Sequence, residues 1–243
     1  MKLNTKKTKC TPFNNSLTKD FVPQLQIKNR DDLEVIYKFK LVGLVVTSDM
    51  TWQEHVSYTV GRVNKVLWQL TRFKHLGAST EQLLKFYILK IRSILMFGAV
   101  CYHSALTLHQ RYQLELQQKR SLAYILGNNY CSHDQARTYL KLPSLEELRE
   151  EACTKWALKA LANPQHRHLF PKNNSIVETR GRQVFLEQIC KSAKYFNSAV
   201  PNMIRSLNRQ AAGRKGPVTV TTKSGIVIVV WSLVSSFVCL VSL

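Results

Sequence analysis

Acidic residues are scarce in this sequence. Its 243 residues include 15 Asp and Glu against 35 Lys and Arg, a formal net charge of +20. The basic residues are spread along the chain and are not confined to one tail, so the imbalance favours a polyanionic partner. That partner is either nucleic acid or an anionic membrane surface. Hydrophobic residues make up 45% of the chain, enough for one or two ordinary cores.

Several common chemical motifs are also missing. There is no G-x-x-x-x-G-K-[ST] loop, no G-x-G-x-x-G turn and no G-x-S-x-G elbow, which argues against the usual nucleotide sites and against hydrolases of the elbow type. The 6 cysteines form no C-x-x-C pair, and no apolar segment follows the basic N-terminus, so we expect free thiols in a reducing compartment. Cys131 with His133, and His166 with His168, lack zinc-site spacing, so we expect no metal site.

The hydrophobic pattern predicts an α+β protein that is mainly α-helical. A short N-terminal hairpin is expected from strands over 21–28 and 34–46, with a polar turn between them. After Asp49 the period becomes helical. Helices are predicted over 51–73, 79–95, 107–126, 134–141, 143–162 and 181–196. The predicted end signals are capping boxes at Thr51/Glu54, Ser79/Gln82 and Thr107/Gln110, and a C-terminal glycine at Gly127.

Apolar spacing also predicts which faces are buried. The second strand should bury Tyr37, Phe39, Leu41 and Val45, with Gly43 at a bulge or close approach. The first helix should bury Val56, Val60, Val63, Leu67 and Leu70. The helix over 79–95 should bury Leu84, Tyr87, Ile88, Ile91, Ile94 and Leu95, and the one over 143–162 should bury Leu148, Ala152, Trp156 and Ala160. These stripes indicate a helical domain and say nothing about activity.

The C-terminal segment 225–243 contains no charged residue. Its length of about 19 residues suffices for a helix across a bilayer of roughly 30 Å. The sequence therefore predicts a basic linker over 209–224 and an apolar helix over 225–243. This helix is either a tail anchor that leaves the bulk of the chain cytosolic or translated non-coding sequence.

Seven stretches carry the most specific signal: LNTKKTK (3–9), FKLVG (39–43), SDMTWQEHV (48–56), RSILMFGAVCY (92–102), LELQQKRSLAYILG (114–127), LPSLEELREEAC (142–153) and SAVPNMIRSLN (198–208). In this order they resemble the reverse transcriptases of non-LTR (LINE-type) retrotransposons, in the part after the catalytic core. The resemblance implies that residues 1–50 are a palm remnant with motifs D and E, and that 51–208 are a helical thumb and its C-terminal extension.

The resemblance also implies what this chain lacks. In the family, aspartates that precede motif D hold two divalent metal ions, normally Mg²⁺, for nucleotidyl transfer. Here the pair Asp31 and Asp32 follows motif D, in the predicted turn, and is not a match. We therefore expect the catalytic aspartates upstream of this sequence, no polymerase activity, and no metal or small-molecule cofactor.

Nucleic-acid contacts are expected at the positions that match the family. Lys7 takes the motif D position, and Phe39, Lys40, Leu41 and Gly43 match the primer grip. A thumb holds duplex through cations on phosphates, without reading sequence. The candidate cations are Arg62, Lys65, Arg72, Lys74, Lys85, Lys90, Arg92, Lys119 and Arg120.

Three functional hypotheses remain open from the sequence. The first is a truncated RNA-directed DNA polymerase remnant, nuclear or cytoplasmic, that binds RNA or DNA without sequence specificity. The second is a single-pass, tail-anchored membrane protein that uses 225–243. The third is a decayed reading frame without function.

Overall fold

The computed structural model describes residues 8–13, 26–27, 30–32, 34–173, 184–213, 218–221, 226–230 and 240–242. Over these residues the chain is mainly helical, with short antiparallel hairpins preceding the helices, which confirms the predicted fold class. It forms two compact units. The first contains Met1–Gly98 with Ala105–Glu146, and the second contains Ala99–Ser104 with Glu147–Leu243.

The elements follow in chain order. The strands before the helices are β1 (Gln26–Ile27), β2 (Arg30–Asp32), β3 (Lys38–Leu41) and β4 (Leu44–Thr47). The helices are α1 (Gln53–His75), α2 (Thr80–Phe86), a π-helical segment (Tyr87–Arg92), α3 (Ser93–Met96), α4 (Ala99–Tyr102), α5 (Leu108–Leu126), α6 (His133–Tyr139), α7 (Leu145–Ala162), α8 (Ala193–Phe196) and α9 (Ala199–Gly213). Three short strands end the chain: β5 (Val218–Thr221), β6 (Ile226–Val230) and β7 (Leu240–Ser242).

The segment predicted as one strand, 34–46, is in fact a hairpin. It reverses between β3 and β4, pairing Lys40 with Val45 and Leu41 with Leu44. Its two central residues, Val42 and Gly43, have φ of 47° and 87°. Positive φ at both positions is what a tight two-residue hairpin turn requires; glycine tolerates it, whereas a β-branched residue is strained there.

The reversal changes which residues are buried. Tyr37 and Leu41 are 55% and 57% exposed, so the predicted buried face is wrong for them. Phe39 is half-buried, in an edge-to-face contact with Phe13, and Val45 is buried. The predicted turn before this segment also differs, because Asp31 and Asp32 lie in β2.

Gly43 lies in close contact with the segment that ends α3. A Cβ on Gly43 would lie 2.8 Å from Cε1 of Phe97, and a Cβ on Gly98 would lie 2.6 Å from Cδ2 of Leu44. Both glycines also have positive φ. Any side chain at either position would therefore collide with its neighbour and strain the backbone. The close approach predicted at Gly43 is confirmed.

Side chains of the 48–56 stretch join β4 to α1. Asp49 Oδ1 accepts hydrogen bonds from Thr47 Oγ1 (2.5 Å) and from the Thr51 N–H (3.1 Å). The buried His55 accepts the N–H of Val45 at Nδ1 (3.3 Å). The capping box predicted at Thr51/Glu54 is wrong, because the N-cap is Trp52 and Thr51 Oγ1 is bonded to Asp49.

The other local signals are confirmed. Capping boxes form at Ser79/Gln82 and at Thr107/Gln110, and α5 ends at Gly127 with φ of 55°. Within the predicted helix over 79–95, a π-helical segment replaces part of the α-helix. Its wider turns suit a buried side that repeats every fourth residue. That side consists of Leu83, Tyr87, Ile91 and Leu95. The predicted Leu84, Ile88 and Ile94 are only half-buried.

The core of the first unit lies where α1 packs against α5. Helix α1 buries Val56, Val63, Leu67 and Leu70, as predicted, while Val60 is only half-buried. Helix α5 contributes Leu114, Leu122 and Ile125, together with the buried amides Gln117 and Gln118. The Gln118 amide donates to the Pro143 carbonyl at 3.1 Å, which lowers the cost of burying it.

The second unit has a core between α7 and α9. It contains Cys153, Ala157, Ala160, Phe170, Met203, Ile204 and Leu207. Asn208 ties a non-helical segment to α9, because its Oδ1 accepts the Phe185 N–H and its Nδ2 donates to the Phe185 carbonyl, both at 3.0 Å.

The predicted buried face of α7 is wrong by one position. Arg149, Cys153 and Ala157 are buried, whereas Trp156 is 36% exposed; of the predicted set only Ala160 is buried. Arg149 is fully buried, and its Nε donates to Nδ1 of His103 at 3.3 Å. An arginine in the core interrupts the apolar pattern, so hydrophobicity alone points to the neighbouring face.

The C-terminal part departs further from the sequence pattern. Of the helix predicted over 181–196, residues 184–192 are not helical and only α8 is; 181–183 lie outside the described residues. Helix α9 runs to Gly213, into the predicted linker. In the described part of 225–243 the backbone forms β6 and β7, and the remaining residues of that segment lie outside the description.

Candidate nucleic-acid interface

The strongest cluster of predicted binding residues lies on the side of α1 that faces away from its core. Residues spaced by three or four positions share one side of a helix. The cluster, called the outer face below, consists of Lys40 of β3 with Tyr58, Arg62, Lys65, Trp68 and Arg72 of α1. At 1.5 Å per residue, it extends about 21 Å along the helix.

The β3–β4 hairpin brings Lys40 to one end of the outer face. Its Nζ donates to the Tyr58 hydroxyl at 2.7 Å and lies 4.6 Å from the centre of the Tyr58 ring. The Arg62 guanidinium lies 5.8 Å from the same ring, so two cations share one aromatic platform. At the other end, the Arg72 guanidinium lies 5.0 Å from the centre of the Trp68 ring. Trp68 is 62% exposed.

The electrostatics of Tyr58 report a positive local field. The hydrogen bond from Lys40 lowers the pKa of the Tyr58 hydroxyl, and the charges of Lys40, Arg62 and Lys65 lower it further. The only acidic residue of α1, Glu54, pairs with Lys38. No carboxylate of α1 is therefore left to neutralise these cations, and an anion would be attracted to them.

The remaining predicted cations have other surroundings. Lys74 donates to the carbonyl oxygens of Tyr124 (2.5 Å) and Ile125 (3.5 Å), so it caps the C-terminus of α5. Lys85 forms an ion pair with Glu81 at 2.7 Å. Lys90 and Arg92 lie in the π-helical segment, and Lys119 is exposed on α5.

The predicted primer-grip residues lie in the β3–β4 hairpin, with Phe39 half-buried, Leu41 exposed and Gly43 in the turn. Lys7 lies outside the described residues. Tyr58 and Trp68 are missing from the predicted set, although the sequence holds a signal for them. Both are aromatic residues placed among cations on the polar side of α1, where an apolar residue is not needed for the core.

A groove runs beside the outer face, between α1 and α5. Its volume is about 380 Å³, and its lining residues are Ser57, Val60, Gly61, Asn64, Gln113, Leu116 and Gln117. Arg120 links the two sides, because its guanidinium donates to Asn64 Oδ1 (3.1 Å) and Gln117 Oε1 (3.4 Å). The sequence pattern did not indicate this groove, since it arises from the packing of two helices distant in sequence.

The described residues do not fit the metal chemistry of the resembled family. Within 8–13, 34–173 and the other described ranges, no group of three or more His, Cys, Asp or Glu side chains is placed to hold a metal ion. A two-metal site needs such a cluster. Among these same residues, no helix combines the length and the apolar composition that crossing a bilayer requires.

Comparisons with known proteins gave no match. No protein-family model matches the chain, and no curated protein or solved structure is significantly similar to it.

Proposed function

We propose that this chain binds nucleic acid without sequence specificity through the outer face, as the thumb-like part of a non-LTR reverse-transcriptase remnant. The observation that carries the proposal is the cation–aromatic row on α1, with three cations around Tyr58 and one over Trp68. Cations on a helix surface bind the phosphates of a nucleic acid whatever its sequence, and exposed aromatic rings stack on any base. The order of the seven stretches supports the family assignment.

Nucleotidyl transfer is not part of this proposal. The family's metal-binding aspartates precede motif D, whereas Asp31 and Asp32 follow it in this sequence. The contribution proposed for this chain is that of a thumb, which holds a primer–template through its phosphate backbone.

The test is the salt dependence of binding by the full chain. A fluorescently labelled RNA–DNA primer–template should bind at about 50 mM salt and lose affinity steeply by about 200 mM, because phosphate contacts release counterions. The triple variant R62E/K65E/R72E should weaken binding about tenfold or more. It should also reduce the slope of log affinity against log salt by about two to three, at 0.7–0.9 per phosphate contact.

The matched control reverses three exposed cations of the second unit, in the variant K159E/K172E/K191E. It changes the net charge by the same amount and leaves the outer face intact. If wild type does not bind at low salt, or if the control loses as much affinity as the triple variant on α1, the proposal is wrong.

A further inference from the structure

Gly61 lies in the middle of α1, where a glycine weakens a helix because it gives up more backbone entropy than alanine. Among the described residues, neither a close neighbour nor a positive φ requires glycine at this position. A Cβ built on Gly61 would meet no atom within 4 Å, and the residue does not have the positive φ that favours glycine. The space that the missing side chain leaves open belongs to the groove between α1 and α5.

The groove has the size and chemistry of a site for one planar, polar ring. Its volume of about 380 Å³ lies in the lower range of ligand sites. Val60 and Leu116 supply apolar surface, while Asn64, Gln113 and Gln117 supply amide groups. The exposed Asn64 is the amide that a ring in the groove can reach, because Gln113 Oε1 and the Gln117 side chain are buried.

Two positively charged side chains lie at the edge of the groove. Arg120 spans from Gln117 to Asn64 on one side, and Lys65 follows Asn64 directly on α1. Trp68 lies one helical turn beyond Asn64, with an exposed ring on which a neighbouring base can stack. A nucleotide whose base entered the groove would thus have cations near its phosphates and an aromatic ring for the next base.

We propose that the α1–α5 groove binds an unpaired nucleobase, so that this protein prefers single-stranded over double-stranded nucleic acid. This inference rests on the proposed function and names its substrate class. In a duplex each base is stacked and paired, and extracting it costs free energy that a single strand does not spend. A duplex could contact the outer face through phosphates but could not fill the groove.

The test uses the full chain and two probes with equal numbers of phosphates, a labelled oligothymidylate and a blunt DNA duplex, compared by fluorescence anisotropy. Gly61→Leu fills the groove with a side chain that meets no protein atom at its Cβ. It should weaken binding of the single strand about tenfold or more and binding of the duplex less than about twofold. Gly61→Ala should have an intermediate effect, since its side chain is smaller.

Two controls separate blockage from damage to the fold. The melting temperatures of both Gly61 variants should be no lower than that of wild type, because both residues favour helix more than glycine does. Gln135→Leu adds the same side chain at an exposed position of α6, away from the groove, and should leave both affinities unchanged.

The possible outcomes are distinct. Equal wild-type affinity for both probes, or a Gly61→Leu effect that is equal on both or absent, overturns the single-strand inference and leaves the proposed function standing if binding is salt-dependent. Failure of wild type to bind either probe overturns both proposals. Binding only to anionic phosphatidylserine vesicles would assign the outer face to a lipid surface and would also overturn both.

Discussion

The two sides of α1 differ in almost every physical property although they share one backbone. The inner side buries Val56, Val63, Leu67 and Leu70, each 3% exposed or less. On α1 the outer face carries three cations and two aromatic rings that do not contribute to the core. The two sides lie at different helical angles, so one helix packs its apolar side into the core and presents cations and aromatic rings on the other. Substitutions on the two sides should therefore be separable by measurement.

The largest effect is expected on the inner side. Leu70 is 1% exposed, and Leu70→Ala should reduce the free energy of unfolding by about 2–5 kcal/mol, through lost burial and a residual cavity. Urea unfolding followed by circular dichroism measures this. Leu76→Ala, at a position 81% exposed, is the control and should stay within about 0.5 kcal/mol. A loss below about 1 kcal/mol at Leu70 would show that this side of α1 does not carry the core.

A smaller effect, on binding and not on stability, is expected on the outer face. Trp68→Ala should weaken single-strand binding by about 1–3 kcal/mol, the contribution of one stacked base, and change unfolding by no more than about 0.5 kcal/mol. Leu108→Ala removes another exposed apolar side chain, 84% exposed, and should change neither quantity. If Trp68→Ala destabilised the protein as Leu70→Ala does, the distinction between the two sides would fail.

The pH dependence of stability tests the inner side of α1 at His55, where the helix meets the β3–β4 hairpin. Burial lowers the pKa of His55 below its ordinary 6.5, and the neutral ring accepts the Val45 N–H. A lowered pKa means that the unfolded chain binds the proton more readily than the folded one. The stability that His55 contributes is therefore complete above pH 6.5 and is lost as the pH falls from there through the folded-state pKa.

Urea unfolding at a series of pH values tests this expectation. Burial also lowers the pKa of His133, so wild type contains more than one such group. The His55→Asn variant keeps an acceptor for the Val45 N–H but does not titrate, so its difference from wild type isolates His55. An identical pH profile for the two proteins would contradict the assigned role.

The sequence predicted those features that depend on a few neighbouring residues. The capping boxes at Ser79/Gln82 and Thr107/Gln110, the end of α5 at Gly127 and the inner side of α1 are examples. Capping is a hydrogen bond between residues three positions apart, and helical periodicity is a property of one segment. The box at Thr51/Glu54 failed because Asp49 and Lys38 bind those two side chains instead.

The candidate site was predictable only in part. Arg62, Lys65 and Arg72 are cations of the predicted set that the structure places together on one side of α1, with Lys40 brought to them by the hairpin. Lys74 belongs to the same helix but caps α5, a role that depends on where a segment some fifty residues away lies. The groove beside Gly61 was not predicted, because no local pattern records the distance between two helices.

The helical character of the chain, the ends of several helices and the excess of positive charge follow from composition and short-range spacing alone. Three features are visible only in the folded chain: the reversal of 34–46 at Val42 and Gly43, the burial of Arg149 in a core, and the grouping of cations on the outer face. The physical reason is that burial and charge proximity depend on contacts between segments far apart in sequence, and those contacts exist only in the folded chain.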